Sequence, residues 1–302
     1  MPALRIATRG SQLALVQANL VADALRMAHA GLDVELVEVS TEGDRDRATP
    51  LSILGGRGVF VKAVEDALLD GRADVAVHSL KDVPTEEVAG LVIAAVPRRA
   101  DPRDVLVASR GRRLADLPAG ARIGTSSRRR MALLRAVRPD LELAEIRGNV
   151  DTRLSRVGDG AYDGAILAAA GLERLGRLDE ATQLFDALEF LPAPGQGALG
   201  IQCRGDDAAT MKLLARLDDS DTHAATEAER GLLRALGAGC SLPVGAYASV
   251  DGGLIALRAM LATDGGELPH FADAAGPLRE AATIGRTLGE QLLGALAQGA
   301  PE

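Results

Sequence analysis

At 302 residues, with 47% hydrophobic and 25% charged side chains, the chain has the make-up of a globular protein long enough for two or three domains. A net charge of −8 and 2% aromatic content argue against a nucleic-acid backbone as ligand, which would ask for cations and stacking rings. No apolar run approaches the roughly 20 residues of a membrane span, and the opening MPALRIATRG has no apolar block of signal-peptide type, so the expectation is a cytoplasmic protein without membrane contact. The two cysteines, Cys203 and Cys240, are then expected as free thiols.

The elements begin with a short apolar strand, LRIAT (4–8), after which Ser11 caps a helix through about His29. VELVEV (34–39) reads as a second strand. EGDRDRATPLSILGGR (42–57) is polar and Gly-rich and reads as a mobile lid. VFVKAVEDALLDG (59–71) is a helix, ADVAVHS (73–79) a third strand and LVIAAV (91–96) a further apolar run. PRRADPRD (97–104), with two prolines and five charges, is expected to be a hinge rather than a core element. The pattern then restarts with ARIGTSS (121–127) as a strand, RRRMALLRAV as a helix, LELAEI as a strand, NVDTRLSRV as a helix and DGAILAAAGLERLG as an apolar run entering a helix. Strand–helix–strand order implies parallel, doubly wound sheets. PAPGQGALGIQCR (192–204) has the character of a crossover back to the first lobe. The last 80 residues, with a helix at 222–236, a cysteine loop, the strand LIALRAMLA and a closing amphipathic helix, form a smaller α+β domain.

RIATRGSQLAL (5–15) and RIGTSSRRRMALL (122–134) are alike. Each is a strand ending in a Thr/Ser turn that opens a helix, and a helix N-terminus offers free N–H groups and a positive dipole end to an anion. Arginines also crowd at 110–113, at 126–130, and at Arg147 and Arg153, a distribution that fits a small polyanion held between two lobes. In HSLKDVPT (78–85), Lys81 and Asp82 follow a buried strand, where open α/β sheets bind ligands. They read either as surface turn residues or as a carboxylate beside cations that stabilises developing positive charge. His78 reads as a strand histidine and Cys203, in ALGIQC, as core. Cys240, among Gly237, Gly239, Gly245 and Pro243, reads either as a small buried apolar residue or as an accessible nucleophile. No Cys/His/carboxylate spacing suggests a metal site, and no nucleotide-binding glycine motif is present.

Seven blocks, RIATRGSQLAL, GGRGVFVKAVEDALLDGRADVAVHSLKDVP, RIGTSSRRR, IRGNVDTRLSR, LAAAGLERLG, PGQGALGIQCR and GAGCSLPVGA, resemble in order the porphobilinogen deaminase (hydroxymethylbilane synthase) family over essentially the whole chain. The resemblance implies an α/β fold of two doubly wound lobes similar to type II periplasmic binding proteins, plus a small C-terminal α+β domain. The expected divisions are 1–98 with 197–216, 103–193, and 220–302. It implies a transferase that condenses four porphobilinogen molecules, each losing ammonia, onto a dipyrromethane primer, and then releases the linear tetrapyrrole hydroxymethylbilane by hydrolysis. Cys240 matches the thioether attachment point of that cofactor and Asp82 the catalytic aspartate. Lys81, Thr125, Ser127, Arg129, Arg130 and Phe60 match cofactor-binding positions. Arg9, Ser11, Arg147, Arg153, Arg174 and Gln196 match positions that bind substrate carboxylates or line the cavity. No metal is implied. A monomer that hands its product to uroporphyrinogen-III synthase is expected. Two positions depart from the family pattern: Arg57 stands where lysine is frequent, and Arg128 where an apolar residue is usual.

Overall fold

The computed structural model describes residues 3–40, 58–237, 242–263 and 268–299, apart from the side chains of 58–60 and 297–299. In chain order the elements are β1 (Leu4–Arg9), α1 (Gln12–Ala28), β2 (Val34–Val39), α2 (Gly58–Leu69), β3 (Val75–Ser79) and β4 (Leu91–Ala95). Next come β5 (Asp104–Ala108), β6 (Arg122–Gly124), α3 (Arg128–Val137), β7 (Glu142–Ala144), α4 (Val150–Gly158), β8 (Gly164–Ala168), α5 (Ala169–Arg174) and β9 (Gln183–Leu184). The chain ends with β10 (Leu199–Arg204), α6 (Ala208–Leu214), α7 (Ser220–Ala235), β11 (Val244–Asp251), β12 (Leu254–Leu261), β13 (His270–Pro277) and α8 (Ala281–Gly299).

The first lobe comprises Met1–Ala100 and Ala198–His223. Its sheet has the order β2-β1-β3-β10-β4, with β1 parallel to β2 and β3. Both faces are covered, so β3 is apolar without alternation. Val75 and Val77 pack with Val21 and Leu25 of α1, while Ala76 packs with Val64 and Leu68 of α2. The strand's two-residue period therefore turns His78 to the α2 side and Ser79 to the α1 side. Ser11 caps α1 by accepting from the Ala14 N–H, as its place before the helix leads one to expect. β10 runs antiparallel to both β3 and β4, a departure from the all-parallel expectation. It enters from a distant part of the chain, so no βαβ crossover fixes its direction.

The second lobe comprises Asp101–Gly197 and Ala224–Glu302 and contains two sheets. One has the order β7-β6-β8-β5-β9, with β6 parallel to β7 and β8, and β5 antiparallel to β8 and β9. Leu106, Ile123, Leu134 and Ile166 lie in its core, joined by stacked Phe185 and Phe190, whose centroids are 4.5 Å apart. The other is the antiparallel meander β11-β12-β13, whose Val244, Ala246, Ile255 and Leu257 pack on α7 and α8. Those two helices cross closely enough that a Cβ on Gly285 would sit 1.9 Å from the Ala228 carbonyl oxygen, so glycine is required there. The fold is α/β: two doubly wound lobe sheets with helices on their faces, and a small α+β part.

A second expectation is corrected. Asp104 does not end a hinge but begins β5, and it is fully buried. Its charge suggested solvent. The structure instead supplies two guanidiniums, which make burial of a carboxylate affordable in the only way it can be, by pairing.

Candidate active site

In the first lobe the C-terminal ends of the parallel strands β1 and β3 carry Arg9 with Ser11 and Lys81 with Asp82. After Ser79 the chain makes a single 3-10 turn, Leu80–Asp82. Three groups of contacts fix that turn. The Leu80 N–H donates to the Ala198 carbonyl at 3.0 Å, and the Leu80 side chain is buried among Val83, Val96 and Ala198. On the α1 side, buried Gln17 donates from Nε2 to Ser79 Oγ at 2.9 Å. On the α2 side, His78 Nε2 lies 3.1 Å from Gln202 Oε1, and Gln202 Nε2 donates to Glu65 Oε1 at 3.0 Å. Lys81 and Asp82 are themselves half-buried. Burial pushes the His78 imidazole down to about 4, against the Gln202 hydrogen bond and the Asp82 charge, which both favour its protonated form.

In the second lobe the corresponding edge carries Thr125 and Ser127 after β6, Arg147 after β7, and the helix α5 with Arg174 after β8. Ser127 caps α3 by accepting from the Arg130 N–H, and the Ser127 N–H donates to Thr125 Oγ1 at 3.2 Å. Three arginines open that helix, where the dipole disfavours cations, so the arrangement suits an anion at this end. Arg128 is exposed. Arg129 and Arg130 are buried and turn inward to Asp104, with Nη1 of Arg129 at 2.7 Å from Oδ2 and Nη2 of Arg130 at 2.6 Å from Oδ1. Arg129 also donates to the Leu191 carbonyl and Arg130 to that of Ile166. Gln196 Nε2 donates to Asp104 Oδ1 at 2.9 Å and to the Pro102 carbonyl at 2.8 Å. Burial works to raise the Asp104 pKa, but the two guanidiniums outweigh it and hold the carboxylate well below its ordinary range.

Arg147 and Arg153 flank the start of α4. Arg147 Nε donates to Glu145 at 2.9 Å, and Arg153 Nε donates to the Gly148 carbonyl at 2.9 Å. Gly148 sits at φ +106, and a Cβ there would meet Thr152 at 2.7 Å. Arg174 Nη2 donates to the Gly197 carbonyl at 2.7 Å, and burial lowers its pKa.

Two stretches of the chain match the same family. "Porphobilinogen deaminase, dipyromethane cofactor binding domain" matches residues 4–212, and "Porphobilinogen deaminase, C-terminal domain" matches residues 224–294. A porphobilinogen deaminase of Syntrophobacter fumaroxidans is 50% identical over 290 residues, covering 96% of this chain and 94% of the relative. Porphobilinogen deaminase 1 of Streptomyces coelicolor is 50% identical over 308 residues, covering 99% and 96%. The chain belongs to the porphobilinogen deaminase family. Among solved structures, a putative methionine-binding lipoprotein of Bacillus subtilis aligns with TM-score 0.44 at 13% identity, over 71% of this chain and 89% of that one. At that distance the likeness carries no weight.

As a porphobilinogen deaminase, the chain is a transferase of tetrapyrrole biosynthesis that builds hydroxymethylbilane from porphobilinogen on a dipyrromethane cofactor. The second lobe fits such a group. A dipyrrole with acetate and propionate arms needs cations, and the Asp104 cluster sets two guanidiniums against one carboxylate at an edge that also holds a helix N-terminus. Cys240, the segment 42–57 with Arg57, and the Phe60 side chain lie outside the described residues. Cys203 is fully buried on β10, with burial pushing its thiol up to about 11, as suits a core residue. Among the described residues no three His, Cys, Asp or Glu side chains group as a metal site, and no helix is long and apolar enough to cross a membrane.

Sequence reasoning missed Asp104, Glu65 and Gln202. Asp104 had one faint signal, an acid opening the five-residue apolar run DVLVA. Glu65 had none, since it looks like an ordinary polar residue of an amphipathic helix, and Gln202 had only its place inside the apolar run ALGIQC.

Proposed function

We propose that Asp82 is the catalytic carboxylate of the condensation and that Cys240 holds the cofactor through a thioether. When bound, the dipyrromethane supplies the pyrrole carbon on which the chain grows. The observation that carries the assignment is the bracing of the Lys81–Asp82 turn from both faces of its sheet and by the Ala198 carbonyl. A carboxylate held this firmly at a strand end can accept pyrrole N–H groups and face the positive charge that develops on porphobilinogen as ammonia departs. Arg9, Ser11 and Lys81 bind acetate and propionate arms at the same strand ends.

Thr125, Ser127, Arg129 and Arg130 of the second lobe, together with Phe60 of α2 in the first, are assigned to the cofactor. Arg147, Arg153 and Arg174 are assigned to the carboxylates of the lengthening product. Gln196 acts with Asp104 in setting the arginine heads. Bidentate guanidinium–carboxylate pairing suits these arms better than lysine does. We further propose a cytoplasmic monomer divided at 1–98 with 197–216, 103–193 and 220–302, with the cofactor cysteine in the last part, and a transient hand-over of product to uroporphyrinogen-III synthase.

Intact-protein mass spectrometry tests the assignment of Cys240. The active protein is expected to exceed its sequence mass by two porphobilinogen units less two ammonia. Cys240→Ala is expected to lose both the added mass and turnover, while Cys203→Ala keeps the cofactor. An unmodified mass in an active preparation would refute it.

A further inference from the structure

His78 lies four residues before Asp82 and takes no part in the assignments above, yet it is bound into a buried polar chain that crosses three elements. Glu65 of α2, Gln202 of β10 and His78 of β3 are all buried, and their bonds join residues 137 and 124 positions apart. The direction of each bond follows from the groups available. A carboxylate at Glu65 only accepts, so the Gln202 amide must turn its Nε2–H₂ toward it. That orientation leaves Gln202 Oε1 facing the imidazole, where it can only accept, so His78 must carry its hydrogen on Nε2. Glu65 thus fixes the tautomer of a ring two bonds away.

We infer that the Glu65–Gln202–His78 chain is a positioning element for the Asp82 carboxylate, holding the imidazole in its Nε2–H orientation where β3 enters the turn that carries Asp82. This inference rests on the catalytic reading of Asp82.

The charged groups that the surrounding elements bring are Glu65 with exposed Lys62 and Asp66 from α2, Lys81 and Asp82 from the turn, and Arg9 at the end of β1. Of these, Asp82 is the one whose charge acts on the ring, favouring its protonation. Burial opposes that pull and prevails. Were it to fail, the imidazolium would set a buried positive charge acting on Asp82. The carboxylate would then meet the charge developing on porphobilinogen already compensated. Gln17 on the opposite face holds Ser79 by a neutral bond as well, so neutral groups brace the strand end on both faces of the sheet.

The chain carries four histidines, so a protein with ¹⁵N-labelled imidazoles gives a tractable spectrum. In the cofactor-loaded wild type, the His78 ring, assigned by its loss from the spectrum of His78→Asn, is expected to show the Nε2–H neutral signature and to keep it from about pH 8 to about pH 5. Glu65→Gln removes the demand that orients the Gln202 amide, and Gln202→Met removes the acceptor. Both are expected to give a tautomer mixture and a roughly tenfold lower kcat, with KM for porphobilinogen within about twofold and full cofactor mass. A wild-type His78 that takes up a proton between about pH 8 and about pH 5 would overturn the inference. So would variants with mixed tautomers and wild-type kcat, or with lower kcat and an unchanged tautomer. Should neither variant fold, the wild-type titration decides alone. Asp82→Asn separates the two levels: near-wild-type turnover there removes the catalytic reading itself. An inactive Asp82→Asn beside fully active Glu65→Gln and Gln202→Met removes only the role of the chain.

Discussion

The two lobes build their strand-end sites by opposite electrostatic means. In the first, neutral amides, a hydroxyl and an uncharged imidazole hold the Lys81–Asp82 turn: Gln17 on Ser79, Gln202 on His78. In the second, charge holds charge, with Asp104 gripping Arg129 and Arg130 at 2.7 and 2.6 Å. Under the roles proposed for Asp82 and for Arg129 and Arg130, the difference follows from what each site must present. A carboxylate that is to meet a developing cation must not be spent on an internal one, so its supports are neutral. Arginines that are to bind carboxylate arms need fixing against their own mutual repulsion, and one buried acid between two of them does that while leaving cationic character over.

The largest effect is expected where charge holds charge. Asp104→Ala strips the shared carboxylate from two buried guanidiniums, and breaking a buried pair from one side costs about 3–5 kcal/mol. Urea unfolding is expected to show that loss. If the bonds through Gln202 resemble ordinary hydrogen bonding, Gln202→Met costs only about 1–3 kcal/mol. Equal losses in the two variants would remove the contrast between the lobes.

Asp82→Asn comes next, and reads out in rate rather than stability. Loss of one preorganised electrostatic partner is worth about 3–4 kcal/mol, or roughly 10²–10³ in kcat. Single-turnover kinetics with limiting porphobilinogen, on protein whose cofactor mass is complete, checks this. A variant close to wild type would take Asp82 out of the chemistry. Its unfolding midpoint is expected to move little, since neutral groups and Leu80 hold the turn.

The contrast between the lobes was only partly legible in the sequence. Strand β3 and helix α1 declared themselves, because Val75 to His78 is a continuous buried run and Ser11 caps an amphipathic stretch. The strand-end placement of Asp82 followed from that. Asp104 was hidden because its partners Arg129, Arg130 and Gln196 lie 25, 26 and 92 residues away, while its near neighbours are prolines and charges that imitate a hinge. A buried acid is recognisable only from what surrounds it in space. β13 was missed for a different reason: HFADAAGP alternates half-buried and exposed positions, but with alanine and glycine in place of the branched residues that mark a strand. Cys240, the attachment point read from the family blocks, lies outside the described residues, so the structure adds nothing to that reading.

Acid tests the neutral lobe in a way the charged one does not share. His78 has its pKa lowered from 6.5 to about 4 by burial, so the unfolded chain takes up a proton near pH 6.5 that the folded protein refuses until about pH 4. The contribution of His78 is therefore nil above pH 6.5. A penalty accumulates as pH falls from 6.5 to about 4, reaching about 3 kcal/mol. Asp104, with its pKa also lowered, loses its stabilisation only as pH falls below the ordinary carboxylate range. Denaturant titrations of wild type and His78→Asn between pH 7 and pH 4.5 are expected to converge as pH drops, because the variant lacks the penalty. Parallel curves would mean that the ring is not held neutral.

The smallest effect concerns how the second lobe aims the arginines that the Asp104 cluster does not hold. Gly148 stands between Arg147 and the start of α4, at φ +106, and its carbonyl receives Arg153 Nε. An alanine there must adopt a backbone region that side chains avoid, and its Cβ would lie 2.7 Å from Thr152. The loop can escape by rotating, because it is exposed, so the expected cost in stability is about 1–2 kcal/mol. Rotation, however, moves the carbonyl that receives Arg153 and swings Arg147 away from its present place. Each porphobilinogen added brings two more carboxylates, so the demand on these arginines rises with product length. Gly148→Ala is therefore expected to load cofactor and add the first unit at nearly the wild-type rate, and then to accumulate partly elongated enzyme. Native mass spectrometry after limiting substrate resolves those species. An even slowing of every addition would show instead that Arg147 and Arg153 supply only a diffuse positive field, and added salt would then reproduce the variant in wild type.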